Sequence, residues 1–318
     1  MADRFTASRP LPRQSIWQTA GHLTSAALIS VSLWAGAAIA DPFRPDKPKA
    51  IGDQTEVAFR AIFEQGNYSA TTRQKLNEAE KAEPTEPLVH ALQASMVYAD
   101  LQGEKDKAKK ADLLERFRAY GTQTRSASQA LMESDPLRGN LYTAVSHFLE
   151  GGYTVLKDGI AKGASTALSE MQSAFKAMDT AATIDPNDPE LNLLKGYMDL
   201  MIAVNLPFAS PNQAITRLEK YAGPRYLADR GIAIGYRDLK QPDKALVAVE
   251  RALQATPNNP EVLMLKAQIL LRQGKYQESK ALFEQALQKK DQLPREIVRQ
   301  IKSGIKDVNK KLGASQKQ

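Results

Sequence analysis

The sequence predicts an all-α chain, a solenoid of antiparallel helix pairs with insertions in its N-terminal units. Three observations carry that reading. Residues 226–293 match themselves in two rows of 34. Small residues fall in register (Ala233 and Ala267, Ala245 and Ser279, Ala252 and Ala286), and so do large apolar ones (Tyr236 and Leu270, Val249 and Phe283, Leu253 and Leu287). A fixed period of this kind marks a repeated helix–turn–helix. Within the rows, Ala245, Leu246, Val249, Ala252 and Leu253 form one apolar stripe at helical spacing, as do Leu282, Phe283, Ala286 and Leu287. Starts and stops agree: Asn259-Pro260-Glu261 has the chemistry of an N-cap, a first-turn proline and a first-turn acid, and Gly274 falls where a helix must end.

The small residues have a packing reason. Helix axes about 8–10 Å apart leave no room for a large side chain at every contact, and forcing one in costs roughly 1–3 kcal/mol. The pattern resembles the tetratricopeptide repeat (TPR) family, whose units carry small residues at three fixed places and a proline near the end. Row one has Ala233, Ala245, Ala252 and Pro257 there. Row two has Ala267, Ser279 and Ala286, with Pro294 slightly late, and its Gly274-Lys275-Tyr276 is similar to the family's Gly-x-Tyr turn. Row one departs at Asp229, where a large apolar residue is usual, and at Lys240, where glycine is usual. The resemblance implies a right-handed superhelix.

Residues 1–40 read as an export signal. Arg4, Arg9 and Arg13 give a basic start with Asp3 as the one acid, residues 23–40 are apolar, and Ala38-Ile39-Ala40 before Asp41 is an A-x-A cleavage pattern that places the cut between Ala40 and Asp41. The alternative is a retained anchor, which would make the chain a membrane-anchored assembly factor. Against it, Thr24, Ser25, Ser30 and Ser32 interrupt a stretch of 18 residues, marginal for spanning about 30 Å of hydrocarbon. The arginines are not adjacent, which excludes a twin-arginine signal, and the absence of cysteine excludes a disulfide framework and a lipid attached at cysteine. Removing the three arginines and one aspartate of this segment from the whole-chain charge of +7 leaves +5. That excess is spread over many lysines, with no basic stripe interleaved with aromatics, so nucleic acid is not an expected partner.

Residues 41–53 read as a proline-rich linker, extended and mobile. A helical repeat domain follows over 54–312, then a disordered tail at 313–318. Val57, Ile62 and Phe63 lead to Gly66-Asn67-Tyr68, which is similar to a TPR turn. Prolines at 84, 136, 186, 224, 257 and 294 punctuate the chain. Their last intervals, 38, 33 and 37, approach the repeat length, whereas the first two, 52 and 50, require insertions or longer helices. Residues 88–101, 108–131, 141–160 and 168–183 read as helices, with Gly159 and Gly163 bracketing a turn. Asp188-Pro189-Glu190 repeats the capping chemistry of Asn259-Pro260-Glu261. The helix after it is nearly apolar all round, hence buried or facing a partner; Tyr197, Met201 and Phe208 would form its adhesive patch. Residues 294–312 read as an amphipathic cap, with Ile297, Ile301, Ile305 and Val308 on one stripe.

DPLRGNLYTA (135–144), LKGYMDLMIAVNLPF (194–208) and YLADRGIAIGYRDL (226–239) together resemble the exported TPR proteins of cyanobacteria. That resemblance implies the periplasm or the thylakoid lumen, no membrane association after cleavage, and no particular activity. Catalytic signatures are absent. His90 and His147 stand alone, no metal-ligand spacing appears, and no phosphate-binding or dinucleotide loop is present. The function read here is therefore a non-catalytic protein-interaction scaffold without cofactor or metal; an enzyme with a site near His147 is the lesser alternative. Resemblance to the family implies that ligands enter a concave face lined by first helices. By register that face holds Arg230, Ile234 and Arg237 from row one and Met264, Gln268 and Arg272 from row two, joined by Tyr197 and Met201 from the inserted unit. The three arginines point to an acidic protein segment or a carboxylate, because guanidinium matches carboxylate geometry. The family's two-carboxylate clamp of asparagines and lysines is not intact.

Overall fold

The computed structural model describes residues 41–205 and 211–315. The export-signal reading of residues 1–40, Ala40 at the cut included, and the placement of Phe208 lie outside these residues. The described chain is helical throughout and contains no strand. In order it forms α1 (Asp53–Phe59), a π-helical turn (Arg60–Glu64), α2 (Ala70–Ala82), α3 (Pro87–Gly103), α4 (Lys107–Leu131) and α5 (Pro136–Ile184). There follow α6 (Pro189–Asn205), α7 (Pro211–Lys220), α8 (Arg225–Asp238), α9 (Pro242–Ala255), α10 (Pro260–Arg272), α11 (Tyr276–Leu287), a short 3-10 turn (Lys290–Gln292) and α12 (Arg295–Ser315). Sequential helices pack on each other as the repeat requires. Helix α12 runs on through Gly313, into the stretch read as tail.

The two matching rows are α8–α9 and α10–α11. Their small residues Ala233, Ala245, Ala252, Ala267, Ser279 and Ala286 are all fully buried. At one crossing, Ser279 Oγ donates to the Ala267 carbonyl at 2.7 Å, so two of the small positions touch. Both departures of row one have physical accounts. Lys240 sits in left-handed backbone with φ 60°, and Gly274, one repeat later, has φ 77°; glycine is usual here because only it adopts such a turn without penalty. Asp229 is buried, yet it accepts hydrogen bonds from Arg225 Nη2 at 2.8 Å and Arg251 Nε at 2.9 Å. Burial works to raise its carboxyl, and the two arginines outweigh that and hold it below the ordinary aspartate value.

The long middle intervals are accounted for by helix length. Helix α5 carries on through the expected turn, broken only at Gly159, where φ is 76°. The apolar character of α6 on all sides follows from a position between two layers. Leu191 and Met198 pack with Met178 and Ala181 of α5, while Leu193 and Leu200 join the main core with α8. Gly231 of α8 permits this close approach, since a Cβ there would lie 2.7 Å from the Tyr197 ring. The reading of a buried helix is the one that holds for most of α6.

The linker reading needs correction at its start. Residues 45–48 are exposed, but Asp41, Phe43 and Arg44 are buried. Phe43 stacks edge-on against Phe59 at 4.9 Å between ring centroids, and Arg44 bonds Asp188 with Nε at 2.6 Å and Nη2 at 2.9 Å. A proline-rich charged stretch reads as solvated only until its charges find buried partners.

The solenoid also closes on itself. A helix leaves its last carbonyls without intrahelical donors, and α1 with its π-helical turn ends against the seam between the two rows. Asn259 Nδ2 donates to the Phe63 carbonyl at 3.0 Å and the Glu64 carbonyl at 3.2 Å. Gln292 Nε2 donates to the Gln65 and Gly66 carbonyls, each at 3.2 Å. The Tyr68 amide donates to the Gln292 carbonyl at 2.7 Å. The turn after α1 therefore docks on the segments before and after α10–α11, and Phe59 and Phe63 share a cavity with Leu227, Arg230 and Ile234 of α8.

Candidate functional site

Closure turns the concave face into a cavity of about 400 Å³. Phe59 and Phe63 from the N-terminal helix, Leu88 and Leu92 from α3, Leu193 from α6 and Ile234 from α8 supply most of its wall. The polar side chains on the wall are Tyr68, Ser95, Tyr142, Glu190, Tyr197 and Arg230. All six are engaged by the protein, Arg230 through Nη1 to Glu261 at 3.3 Å. Tyr68 donates to Glu261 at 3.2 Å, Ser95 to the Leu92 carbonyl at 2.7 Å, and Tyr197 to the Leu227 carbonyl at 2.7 Å. Tyr142 donates to Glu190 Oε1 at 2.5 Å, and Arg44 Nη2 donates to Glu190 Oε2 at 2.9 Å. Burial pushes the Tyr197 hydroxyl up to about 12.

Beneath the cavity lies a buried ionic network that ties the chain start to the middle helices. Arg138 has no solvent exposure; it bonds Glu86 at 2.6 Å through Nη2 and the Ala50 carbonyl at 3.0 Å through Nη1. Arg44 joins Asp41, Asp188 and Glu190. Burial raises the Glu190 carboxyl above its ordinary value, against the pull of Arg44 and Arg138. The caps read from the sequence take part: Asp188 Oδ1 accepts the Leu191 amide at 2.9 Å while its carboxylate holds Arg44.

The eight residues assigned to the groove, six by register and Tyr197 and Met201 from the inserted unit, divide into three groups. Tyr197, Arg230 and Ile234 line the cavity together. Arg237, Gln268 and Arg272 form a polar strip: Arg237 Nη1 donates to Gln268 Oε1 at 2.6 Å, and Arg272 Nη1 donates to the Arg237 carbonyl. Asp238 flanks the strip, 2.8 Å from Arg237 Nε. Met264 is 8% exposed and packs with α11 and α12, so it belongs to the core and not to a binding face. Met201 is 54% exposed and does not line the cavity. Arg230 is paired on one side only: Nη1 donates to Glu261 at 3.3 Å, and its Nε and Nη2 have no acceptor among the described residues. Sequence reasoning missed the N-terminal contribution. The spacing of Phe59, Phe63 and Tyr68 was its available signal, three aromatics flanking one turn.

His147 does meet charged neighbours. Its Nδ1 lies 2.6 Å from Glu170 Oε2 and 3.3 Å from Arg125 Nη2. Among the described residues no group of three or more His, Asp or Glu is placed to hold a metal, and no helix is long and apolar enough to cross a membrane.

Residues 236–297 match the family model of the tetratricopeptide repeat, a span that takes in the last residues of α8, all of α9, α10 and α11, and the first residues of α12. No curated protein matches the chain. Over that span the chain is similar to tetratricopeptide repeats, helix pairs that generally serve as non-catalytic scaffolds for protein–protein interaction.

Proposed function

We propose that this protein is an exported, non-catalytic TPR scaffold that binds an acidic segment of a partner protein on the strip formed by Arg237, Gln268 and Arg272. The observation that carries the reading is the mutual support of that strip across two rows. Gln268 from α10 holds Arg237 from α8, and the Arg237 carbonyl holds Arg272. Side chains fixed in this way lose less freedom on binding, which favours affinity. The Arg272 side chain is 46% exposed and meets its nearest carboxylate, Asp238, at 3.8 Å. An incoming carboxylate can therefore add a bidentate partner that Asp238 does not supply.

Export is supported by the basic, apolar and A-x-A succession of residues 1–40. The resemblance to exported cyanobacterial TPR proteins favours the periplasm or the thylakoid lumen. The mass of the protein isolated from its host reads the cut directly, and retention of residues 1–40 would favour the anchored alternative.

The binding reading is tested with a labelled hexaglutamate peptide titrated by fluorescence anisotropy. Arg237→Ala with Arg272→Ala is expected to weaken binding about tenfold or more, and added salt is expected to weaken it in the unaltered chain. Equal affinity of the double variant and the unaltered chain would overturn the assignment to this strip.

A further inference from the structure

We infer that the cavity walled by the N-terminal helix, α3, α6 and α8 is a binding site for a single-chain amphiphile with an anionic head, of the fatty-acid type. The proposal does not rest on the acidic-segment reading, which concerns a different set of residues.

Two features of the wall select this chemistry. The first is the state of its polar groups. Tyr68, Ser95, Tyr142, Glu190 and Tyr197 are all engaged with protein partners. An extended peptide threaded here would bury more amides and carbonyls than this wall can bond, at about 1–3 kcal/mol for each group left over. A hydrocarbon chain carries no such groups, and its removal from water is favourable by roughly 0.8 kcal/mol per methylene. The volume of about 400 Å³ falls within the range of small-molecule sites, about 300–1,000 Å³. The apolar wall therefore takes an alkyl chain and rejects a polypeptide backbone.

The second feature is Arg230. Its Nη1 donates to Glu261, and among the described residues that is its one hydrogen bond. The Nε and Nη2 edge of the guanidinium is left, on a side chain that lines the cavity and is 20% exposed. That edge presents two parallel N–H donors, the geometry that a carboxylate accepts through both oxygens. Glu261 meets Arg230 through Nη1 alone and shares the accepting oxygen, Oε2, with Tyr68. The tail thus lies among Phe59, Phe63, Leu92 and Ile234, and the head stops at Arg230.

The test is calorimetric titration of the full chain with dodecanoate, dodecanol and dodecyltrimethylammonium, each below its micellar range. One dodecanoate per chain is expected, with dodecanol weaker by about tenfold and the cationic amphiphile not bound. Arg230→Gln should abolish the preference for dodecanoate over dodecanol while both still bind. Ala91→Trp, which fills the cavity from α3, should remove binding of both with helical circular dichroism unchanged. Arg272→Ala should leave dodecanoate binding intact, which separates this site from the peptide strip. Failure of the unaltered chain to bind dodecanoate, or equal binding of all three amphiphiles, overturns the proposal whatever the variants do. Dodecanoate binding that persists in a folded Ala91→Trp protein also overturns it.

Discussion

Replacing Arg138 by methionine is expected to destabilise the protein by about 3–5 kcal/mol. Arg138 has no solvent exposure, and its guanidinium bonds Glu86 through two nitrogens, at 2.6 Å and 3.2 Å, and the Ala50 carbonyl at 3.0 Å. Methionine fills much of the same space, so the loss reports the carboxylate left behind and not a cavity. Glu86 would then be a buried charge without its cation, and it also caps α3 by accepting the Leu88 amide at 2.9 Å. Pairing Arg138→Met with Glu86→Gln should restore a large part of the lost stability, because an amide in place of the carboxylate carries no charge that needs a counter-ion. Guanidinium denaturation is the measurement: the midpoint should fall in the single variant and recover in the double one, with the slope unchanged.

Asn259 is the second residue at which one change should act widely. Its Oδ1 accepts the Glu261 amide at 3.0 Å and the Val262 amide at 3.3 Å, which caps α10. Its Nδ2 donates to the Phe63 and Glu64 carbonyls, which closes the N-terminal helix onto the rows. Asn259→Ala removes both functions. A cap is worth about 0.5–2 kcal/mol, and the two seam bonds bring the expected loss to about 2–4 kcal/mol. Asn259→Ser keeps a capping oxygen but cannot reach the seam carbonyls with an amide, so about half of the loss should remain. Hydrogen exchange separates the two effects: in the serine variant, amides of residues 53–68 should exchange faster while those of α10 stay protected. Equal protection at residues 53–68 in the serine variant and the unaltered chain would show that the seam bonds contribute nothing.

The helices themselves were legible because their signals are local. The register of Ala233 with Ala267 and of Ala252 with Ala286 holds in the packed rows, where all four are fully buried. A proline following a capping side chain marked the starts of α6 and α10, and Asp188 and Asn259 cap as that pattern implies; the same pair at Asp135-Pro136 starts α5 five residues before the helix read from Leu141. Even the departures were informative, since Lys240 occupies the left-handed turn that glycine fills one repeat later. What was not legible is long-range. Nothing at Arg44 names Asp188, 144 positions away, as its partner. One half of Asn259 is visible as a cap, and the other half serves carbonyls nearly 200 residues earlier, at Phe63 and Glu64. The groove assignment inherited that gap. Register put Arg230 and Ile234 on one face, and Tyr197 was added from the inserted unit; neither step could show that Phe59 and Phe63 line the same cavity. Met264 went astray for a related reason. Its position in the repeat fits a lining residue, yet it packs among Phe283, Ile301 and Val308, the last two from a terminal helix that follows the rows.

The cavity, the amphiphile site and the role of Asn259 all require the first helix pair to stand against the seam of the last two. The chain has no cysteine, so a pair introduced as Tyr68→Cys and Gln292→Cys would be its sole thiols. The backbone hydrogen bond from the Tyr68 amide to the Gln292 carbonyl at 2.7 Å brings these positions within the reach of a disulfide, whose Cα atoms lie about 4.4–6.8 Å apart. Mild oxidation of the dilute protein should give a near-complete intramolecular disulfide at monomer mass. Thiols that stay reduced, or that join only between molecules, would contradict the closed arrangement and leave an open solenoid in its place.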